Sequence, residues 1–395
     1  MPAKKTKNKV VSPVPAATIV SPEAALSISD IIAPEKPTRK ALTLFITGGA
    51  GYVGAMLIDI FAKRPDVIRI IALDKLPMPD FIKNMPEVQA KVTFIVGNTS
   101  DTTWQKDIAD FNPDIVIHTA WQIREMYGEK DKQWRWNVEG SDRVFDFAFT
   151  TPSVKKLIHF STVSSYSARP DNKIDHFFTE SEGFRKSDYL YAEEKRIVEE
   201  HLATKYAAAR RSNAHVPQVA VIRPAAITGP RGRYMRIRFG LQAALSGQLK
   251  ESFIHKLISF MVSFVPVTKG WCRQFIHEDD IADIVELFAF HPLKTDFEIF
   301  NACPAGPVVR GSDMAEAVGK RPVPIHPQLI RFAFFIMWHL TRGRVPTSKG
   351  GWKAYSYPIA VDGSKLSKMY GYVYFMNSKD AFTKKEGRYT KYIPS

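Results

Sequence analysis

Cysteine is nearly absent: two residues in 395, Cys272 and Cys303, allow no disulfide framework and no Cys-x-x-Cys metal site. A reducing, cytoplasmic setting is the expectation. Long apolar runs are missing too. Phe253–Val267 and Leu329–Leu340 are too short and too interrupted to span a bilayer. Leu329–Leu340 carries Arg331 and His339 and reads as an amphipathic helix. A place in a domain core is preferred for it over a membrane-lying anchor, with peripheral membrane contact as the alternative. The first 40 residues lack the continuous apolar core of a secretory signal. No internal repeat is found. Acidic residues are scarce at the ends, where residues 1–40 carry a net +4 and residues 342–395 a net +8. The total is +15, so the body between them is nearly balanced at +3. Without a nucleic-acid motif, no nucleic-acid partner is expected.

What is present is ordinary globular composition, 45% hydrophobic and 24% charged. Residues 1–40 hold six prolines and no sustained periodicity, and they read as a disordered basic tail. From Ala41 onward, short β-branched runs alternate with amphipathic stretches. The runs are Leu42–Thr47, Ile68–Leu73, Val92–Val96, Ile115–His118, Leu157–Ser161 and Val219–Ile222. That alternation predicts βαβ units, hence an α/β fold with a doubly wound parallel Rossmann sheet. A smaller, mostly helical C-terminal substrate domain is expected. Residues 41–230, joined again by 271–303, would form the dinucleotide domain. Residues 231–270 and 304–383 would form the substrate part, and 384–395 a second basic tail.

After the first run comes TGGAGYVG, with glycines at 48, 51 and 54 ahead of a helical stretch. Gly48, Gly51 and Gly54 permit a tight turn, close backbone approach to a pyrophosphate and close helix–strand packing, while the helix N-terminus faces the anion. Asp74 ends the next strand 20 residues after Gly54. An acid there accepts hydrogen bonds from a ribose and repels a 2′-phosphate, which favours NAD over NADP.

Tyr191 and Lys195 stand four apart in a segment of good helix formers, on one helix face. An ammonium near a phenol lowers the phenol's pKa, and the tyrosine can then exchange a proton with a substrate hydroxyl. Such a pair is common on helices. Here the strand Leu157–Ser161 also runs into STVSSYS, which places hydroxyls at the carboxyl edge of the sheet, where open α/β sheets bind ligands.

Together these motifs resemble an extended short-chain dehydrogenase/reductase of the NAD-dependent epimerase/dehydratase family, from about Leu42 to about Phe382. DIVIHTA, ending at Ala120, resembles the fourth-strand motif that lines the cofactor. Asn137 in WNVEGS resembles the Asn-x-x-Gly-Thr element. IRPAAITGPRGR, which includes Pro224, resembles the segment near the nicotinamide. QFIHEDDIADIV and VDGSKLSKMYGYVYFMNSKDAF resemble the closing motifs.

The resemblance implies Tyr191 as acid/base, Lys195 as its partner and nicotinamide-ribose ligand, and Thr162 on the reacting oxygen, with Ser161 and Ser164 as alternates. It implies NAD held by Gly48, Gly51, Tyr52, Val53, Gly54, Asp74, Asn98, Ala120, Asn137, Tyr191, Lys195 and Pro224, and a homodimer. Val163, Ser164 and Ser165 follow Thr162 where 4,6-dehydratases carry acids, which argues against dehydration. No Gly-Asp-Gly turn precedes HEDD, as it does in sugar-nucleotide epimerases. Arg231 and Arg273, with Arg233, Arg236 and Arg238, are candidates to clamp a substrate diphosphate.

HEDD at 277–280 reads as a helix start rather than a metal site, and no metal is expected. His118, on an apolar strand, reads as a satisfied core residue. The expected function is NAD-dependent oxidoreduction or epimerisation at a secondary alcohol of a sugar or nucleotide sugar. The alternatives are a 3β-hydroxysteroid-dehydrogenase-like enzyme on an apolar alcohol, and a non-catalytic member that binds RNA or protein through its basic ends.

Overall fold

In the computed structural model, residues 41–212, 215–234, 264–317 and 321–392 are described. The β-branched runs become strands β1 (Leu42–Thr47), β2 (Val67–Asp74), β3 (Val92–Val96), β4 (Ile115–His118), β5 (Lys156–Phe160) and β6 (Gln218–Pro224). A seventh, β7 (Phe297–Ala302), falls inside the stretch expected to return to this domain. The order is β7-β6-β5-β4-β1-β2-β3, and every pairing is parallel. The chain winds outward from β1 to β3, then crosses back to β4. This leaves a switch point between the carboxyl ends of β1 and β4, the crevice where such sheets take ligands.

Burial on both faces explains the near-continuous apolar strands. Alternate side chains serve opposite layers. Phe45, Val116, Leu157 and Val219 meet α2 (Gly140–Thr150) and α3 (Leu190–Arg211) through Val144, Phe145, Val198 and Leu202. On the other side, α1 (Tyr52–Ala62) packs beside α4 (Glu278–Phe290), and Phe61 meets Phe290 edge-on at 5.1 Å.

The C-terminal part mixes short helices with two-stranded pieces. Phe264–Val267 pairs with Arg321–Pro324, Cys272–Arg273 with Val309–Arg310, and Phe275–His277 with Ala226–Thr228. Strands of two to four residues carry too little periodicity to be read from sequence. HEDD is the start of α4: His277 caps it by accepting from the Asp279 amide at 3.1 Å. Among the described residues no group of His, Cys, Asp and Glu side chains is arranged to hold a metal, and no helix is long and apolar enough to cross a membrane.

Two expectations are corrected. Residues 384–392 are not a solvated tail, because Tyr389 is 3% exposed, Arg388 pairs with Asp283, and the His277 ring contacts the Glu386 carbonyl at 3.0 Å. Buried carboxylates of α4 need donors, and this segment supplies them. Helix α5 (Pro327–Leu340) is not a core helix either. Ile330 and Trp338 are buried, but Leu329, Phe332, Phe335, Ile336 and Leu340 are exposed. Its residues are apolar around most of the circumference, so periodicity could not say that only one side would be covered. The expected tail 1–40 and most of the run Phe253–Val267 lie outside the described residues.

One buried charge pair ties α3 to the sheet. Arg223 of β6 donates to Glu199 through Nε at 3.1 Å and Nη2 at 2.5 Å, and through Nη1 to the Tyr166 hydroxyl at 2.6 Å. Arg223 and Glu199 are each 5% exposed. Removing one partner strands the other charge, so Glu199→Gln should cost about 3–5 kcal/mol of unfolding free energy in urea. The paired replacement Glu199→Leu with Arg223→Met should cost less than either single change in a double-mutant cycle.

A pH signature follows from α4. Burial pushes the Asp280 carboxyl up to about 7, although its Oδ1 accepts from the Tyr372 hydroxyl and the Phe375 amide, both at 2.8 Å. The folded state therefore binds this proton more tightly than the unfolded state. The stabilisation is full below the ordinary aspartate range near 4 and is lost as pH rises toward 7. Thermal melts of Asp280→Asn should decline less between those limits than melts of the parent chain.

Candidate active site

The loop after β1 is built by close approach. Gly48 has φ +76°, and a Cβ there would stand 2.7 Å from the Ala120 nitrogen. A Cβ on Gly54 would stand 2.1 Å from the Gly48 carbonyl oxygen. No side chain fits at either place, so the loop folds flat against the ends of β1 and β4 and into α1. The Gly51 amide donates to the Gly48 carbonyl at 2.9 Å, and the Ala50 amide to Asp74 Oδ2 at 3.0 Å.

Asp74 thus holds the loop from the end of β2, and its Oδ1 accepts from the Leu76 amide at 2.9 Å. Lys75, beside it, turns away: its ammonium lies 4.0 Å from the Trp136 ring centre and donates to Gln122 at 3.0 Å. Gly51 is exposed and Tyr52 and Val53 are half-buried, so the first turn of α1 borders the switch point. These features fit a dinucleotide: a flat cradle, a helix N-terminus for the pyrophosphate and a carboxylate for the ribose.

The remaining cofactor candidates divide. Ala120 lies against Gly48, with its amide 3.4 Å from Thr47 Oγ1. Asn98, after β3, accepts from the Ser100 amide at 3.0 Å and shapes the local turn. Pro224 ends β6, opposite Ala302 of β7. Asn137 is committed within the protein: it accepts from the Gln122 amide at 2.7 Å and donates to the Gln122 carbonyl at 3.0 Å and to Glu194 at 2.7 Å. It shapes the loop after β4 and ties that loop to α3. Tyr52 extends its hydroxyl to Glu278.

Thr162 follows β5 and caps the turn Val163–Tyr166 by accepting from the Ser164 amide at 3.2 Å. It also meets the Tyr191 hydroxyl, in the first turn of α3, in a side-chain hydrogen bond. Burial raises the Tyr191 phenol above its ordinary pKa, and the Thr162 hydrogen bond pulls it back. Lys195, one turn on, donates its ammonium to the Phe160 carbonyl and lies 3.6 Å from the Trp121 ring centre. Burial drives its pKa well down, against the pull of Glu199 and Glu194. The Thr162 hydroxyl thus lowers the phenol's pKa against burial, and Lys195 stands one turn further along the same helix.

The alternates Ser161 and Ser164 flank Thr162. Ser161 is buried, with no hydrogen-bond partner for its hydroxyl, and Ser164 is half-buried. His118 is satisfied in the core, 2.7 Å from Thr47 Oγ1 and 2.8 Å from Ser141 Oγ, and burial drives its pKa down to about 3.

The two arginines expected to hold substrate have different surroundings. Arg231 is 2% exposed among rings, 4.4 Å from Phe81, 4.8 Å from Tyr389 and 5.9 Å from Tyr52. Arg273 donates to the carbonyls of Ala354 and, at 3.2 Å, Cys272, and it interacts electrostatically with Tyr189 and Tyr355. The side chain of Arg233, and Arg236 and Arg238 altogether, lie outside the described residues.

Tyr189, whose ring stands 5.7 Å from that of Tyr191, and Tyr355, whose phenol burial pushes up to about 12, thus form an aromatic wall beside Arg273. Sequence spacing sets Tyr189 aside, six residues before Lys195 and facing elsewhere, and singles out neither Trp121 nor Tyr355. Only Trp121, directly after Ala120, carried a positional hint.

Thr162→Val removes a hydroxyl that favours the Tyr191 phenolate. The phenol pKa should rise, the rising limb of the kcat–pH profile should move alkaline, and kcat near neutrality should fall on the order of 10²-fold or more.

With this geometry in place, comparison with known proteins is direct. The sequence pattern of the NAD dependent epimerase/dehydratase family matches residues 44–303. The chain is 22% identical over 285 residues to a dihydroflavonol 4-reductase of Solanum lycopersicum, covering 68% of this chain and 66% of that protein. It is 25% identical over 283 residues to a dTDP-D-glucose 4,6-dehydratase of Dictyostelium discoideum, covering 65% and 59%. The match thus spans less than two thirds of either relative.

Among solved structures, the Bordetella bronchiseptica enzyme WbmG in complex with NAD and UDP superposes with a TM-score of 0.61 at 20% identity, covering 88% of this chain and 94% of that one. A Thermotoga maritima UDP-glucose 4-epimerase with UDP-glucose gives 0.59 at 17%, covering 87% and 96%. The fold is common to all of these, and on the matched span the chain belongs to the NAD dependent epimerase/dehydratase family.

Proposed function

We propose that this chain is an NAD-dependent oxidoreductase or epimerase acting on a secondary alcohol of a sugar or nucleotide sugar. One observation carries the reading: Thr162, on the turn after β5, meets Tyr191 on the helix that also carries Lys195, on a sheet whose first strand ends in a flat glycine cradle and a helix N-terminus that suit a pyrophosphate. NAD, when bound, supplies the hydride acceptor. Gly48, Gly51, Gly54 and the first turn of α1 would hold its pyrophosphate, and Asp74 a ribose.

Tyr191 removes the proton of the substrate hydroxyl at its phenolic oxygen. Thr162 orients that oxygen and accepts or donates as the proton moves. Lys195, whose charge burial disfavours and Glu199 and Glu194 support, is positioned beside this dry site by the Phe160 carbonyl and the Trp121 ring. The turn after Thr162 carries Val163, Ser164 and Ser165 and no carboxylate, and Ser165 is spent on the Ala192 carbonyl at 3.1 Å. This supports hydride chemistry without elimination of water. The UDP-sugar complexes of solved neighbours support the substrate class.

A second reading, an apolar alcohol, is favoured by the wall itself. Tyr189 and Tyr355 border Arg273, whose guanidinium is engaged by backbone carbonyls, and Arg231 stands apart among rings. A curated relative is a dihydroflavonol 4-reductase.

Purified protein should release NAD(H) on denaturation or take up NAD reversibly. It should then turn over a UDP-sugar panel, and Tyr191→Phe should lower kcat on the order of 10²–10⁴-fold while NAD binding persists. Turnover confined to sterols or flavanols would select the second reading. Failure to bind either NAD or NADP would overturn both.

A further inference from the structure

Helix α5 presents an apolar face that nothing among the described residues covers. Its inner side is accounted for: Trp338 meets Tyr127 at 5.4 Å, Phe334 meets Tyr355 at 5.3 Å, and Ile330 is buried. Its outer side is not. Leu329, Phe332, Phe335 and Leu340 are 61–65% exposed and Ile336 is 42% exposed. At about 100° per residue, Leu329, Phe332, Ile336 and Leu340 share one stripe, and Phe335 flanks it. No charged residue falls on that stripe. A water-facing helix of an ordinary domain carries polar residues there.

Charge decides what fits this face. From Ala317 to Val361 the sequence has seven Lys and Arg residues and no Asp or Glu. Arg321, Arg331, Arg342, Arg344 and Lys349 of that stretch are exposed around the helix. A second copy of the chain would set one such basic stretch against another, at a cost in repulsion. A surface that is apolar within and anionic at its rim matches both properties, and an acidic phospholipid leaflet is such a surface. Fourteen residues give a helix about 21 Å long, short of the roughly 30 Å hydrocarbon core, so α5 would lie in the interface and not cross it.

We propose that α5 is a membrane-docking helix: Leu329, Phe332, Phe335, Ile336 and Leu340 enter the acyl boundary of an anionic leaflet, and Arg342, Arg344 and the neighbouring basic residues meet its headgroups. The docked helix is one contact from the site. Tyr127, in the loop after β4, packs on Trp338 and stands 3.0 Å from His339 Nδ1, and the same loop carries Trp121 over Lys195. The proposal does not depend on which alcohol is oxidised.

The full chain is sedimented with phosphatidylcholine vesicles, with and without phosphatidylserine, over a salt series. It should pellet with the phosphatidylserine vesicles and release as salt rises. Phe332→Ser with Phe335→Ser should weaken that binding at least about tenfold, the effect of withdrawing two exposed rings from an apolar phase, with an unchanged melting temperature. Arg342→Gln with Arg344→Gln should weaken it most at low salt.

Absence of pelleting by the parent chain overturns the proposal. So does binding unaltered in the Phe332/Phe335 variant, which would assign attachment to another basic segment. A concentration-dependent dimer that this variant dissolves, without vesicle binding by the parent, makes the face a self-association surface and equally overturns it.

Discussion

A guanidinium buried between a helix and a strand holds the candidate site of this molecule in place. Arg223 cannot shed its charge, and at 5% exposure it cannot share it with water, so its donors must be met by protein. Glu199 meets the fork and the Tyr166 hydroxyl meets Nη1. Glu199 stands one helical turn beyond Lys195 and two beyond Tyr191 on the same side of α3, and Tyr166 ends the turn that begins after Thr162. The constraint that satisfies one buried charge therefore also sets the helix carrying Tyr191 and Lys195 against the strand end carrying Thr162. The Tyr166 hydroxyl, 3.0 Å from Asn301 Oδ1, extends the same network to β7.

Dryness shapes the chemistry there. Burial opposes charge on both members of the helical pair, raising the phenol and lowering the ammonium. What works against burial is a hydroxyl dipole on the phenol and the charges of Glu199 and Glu194 near the lysine, whose ammonium also meets the dipole of a carbonyl and an indole face. Such dipoles are already aimed before a substrate arrives and need no reorganisation when charge develops, which is the condition under which electrostatic stabilisation is most effective. The exclusion of water that raises the phenol's pKa also strengthens the interactions that oppose it.

At the other end of the site, three successive carboxylates at the start of α4 gather distant chain. Glu278 takes the Tyr52 hydroxyl and the amides of Arg231 and Gly232, at 3.0 and 3.2 Å. Asp279 takes the Arg388 amide at 2.9 Å, and Asp280 takes Tyr372 and Phe375. A helix N-terminus favours acids, and these acids then recruit the C-terminal segment as a source of donors.

Local signals determined a good deal on their own. Strand identity, the parallel doubly wound sheet, the glycine loop and the Tyr191/Lys195 face were legible because each rests on periodicity or on glycine's missing Cβ, properties that short windows of sequence contain. The helix start at HEDD and the satisfied state of His118 were legible for the same reason. What tertiary structure decided concerns residues brought together from far apart. Trp121 over Lys195, Tyr355 beside Arg273, the separate surroundings of Arg231 and Arg273, and the commitment of Asn137 to Gln122 and Glu194 have no local signature. The burial of Tyr389 depends on carboxylates more than a hundred residues earlier, and composition alone read that segment as a tail. The outer face of α5 is the limiting case: a helix apolar around most of its circumference reads as a core element, and only the packed chain shows which side it leaves bare.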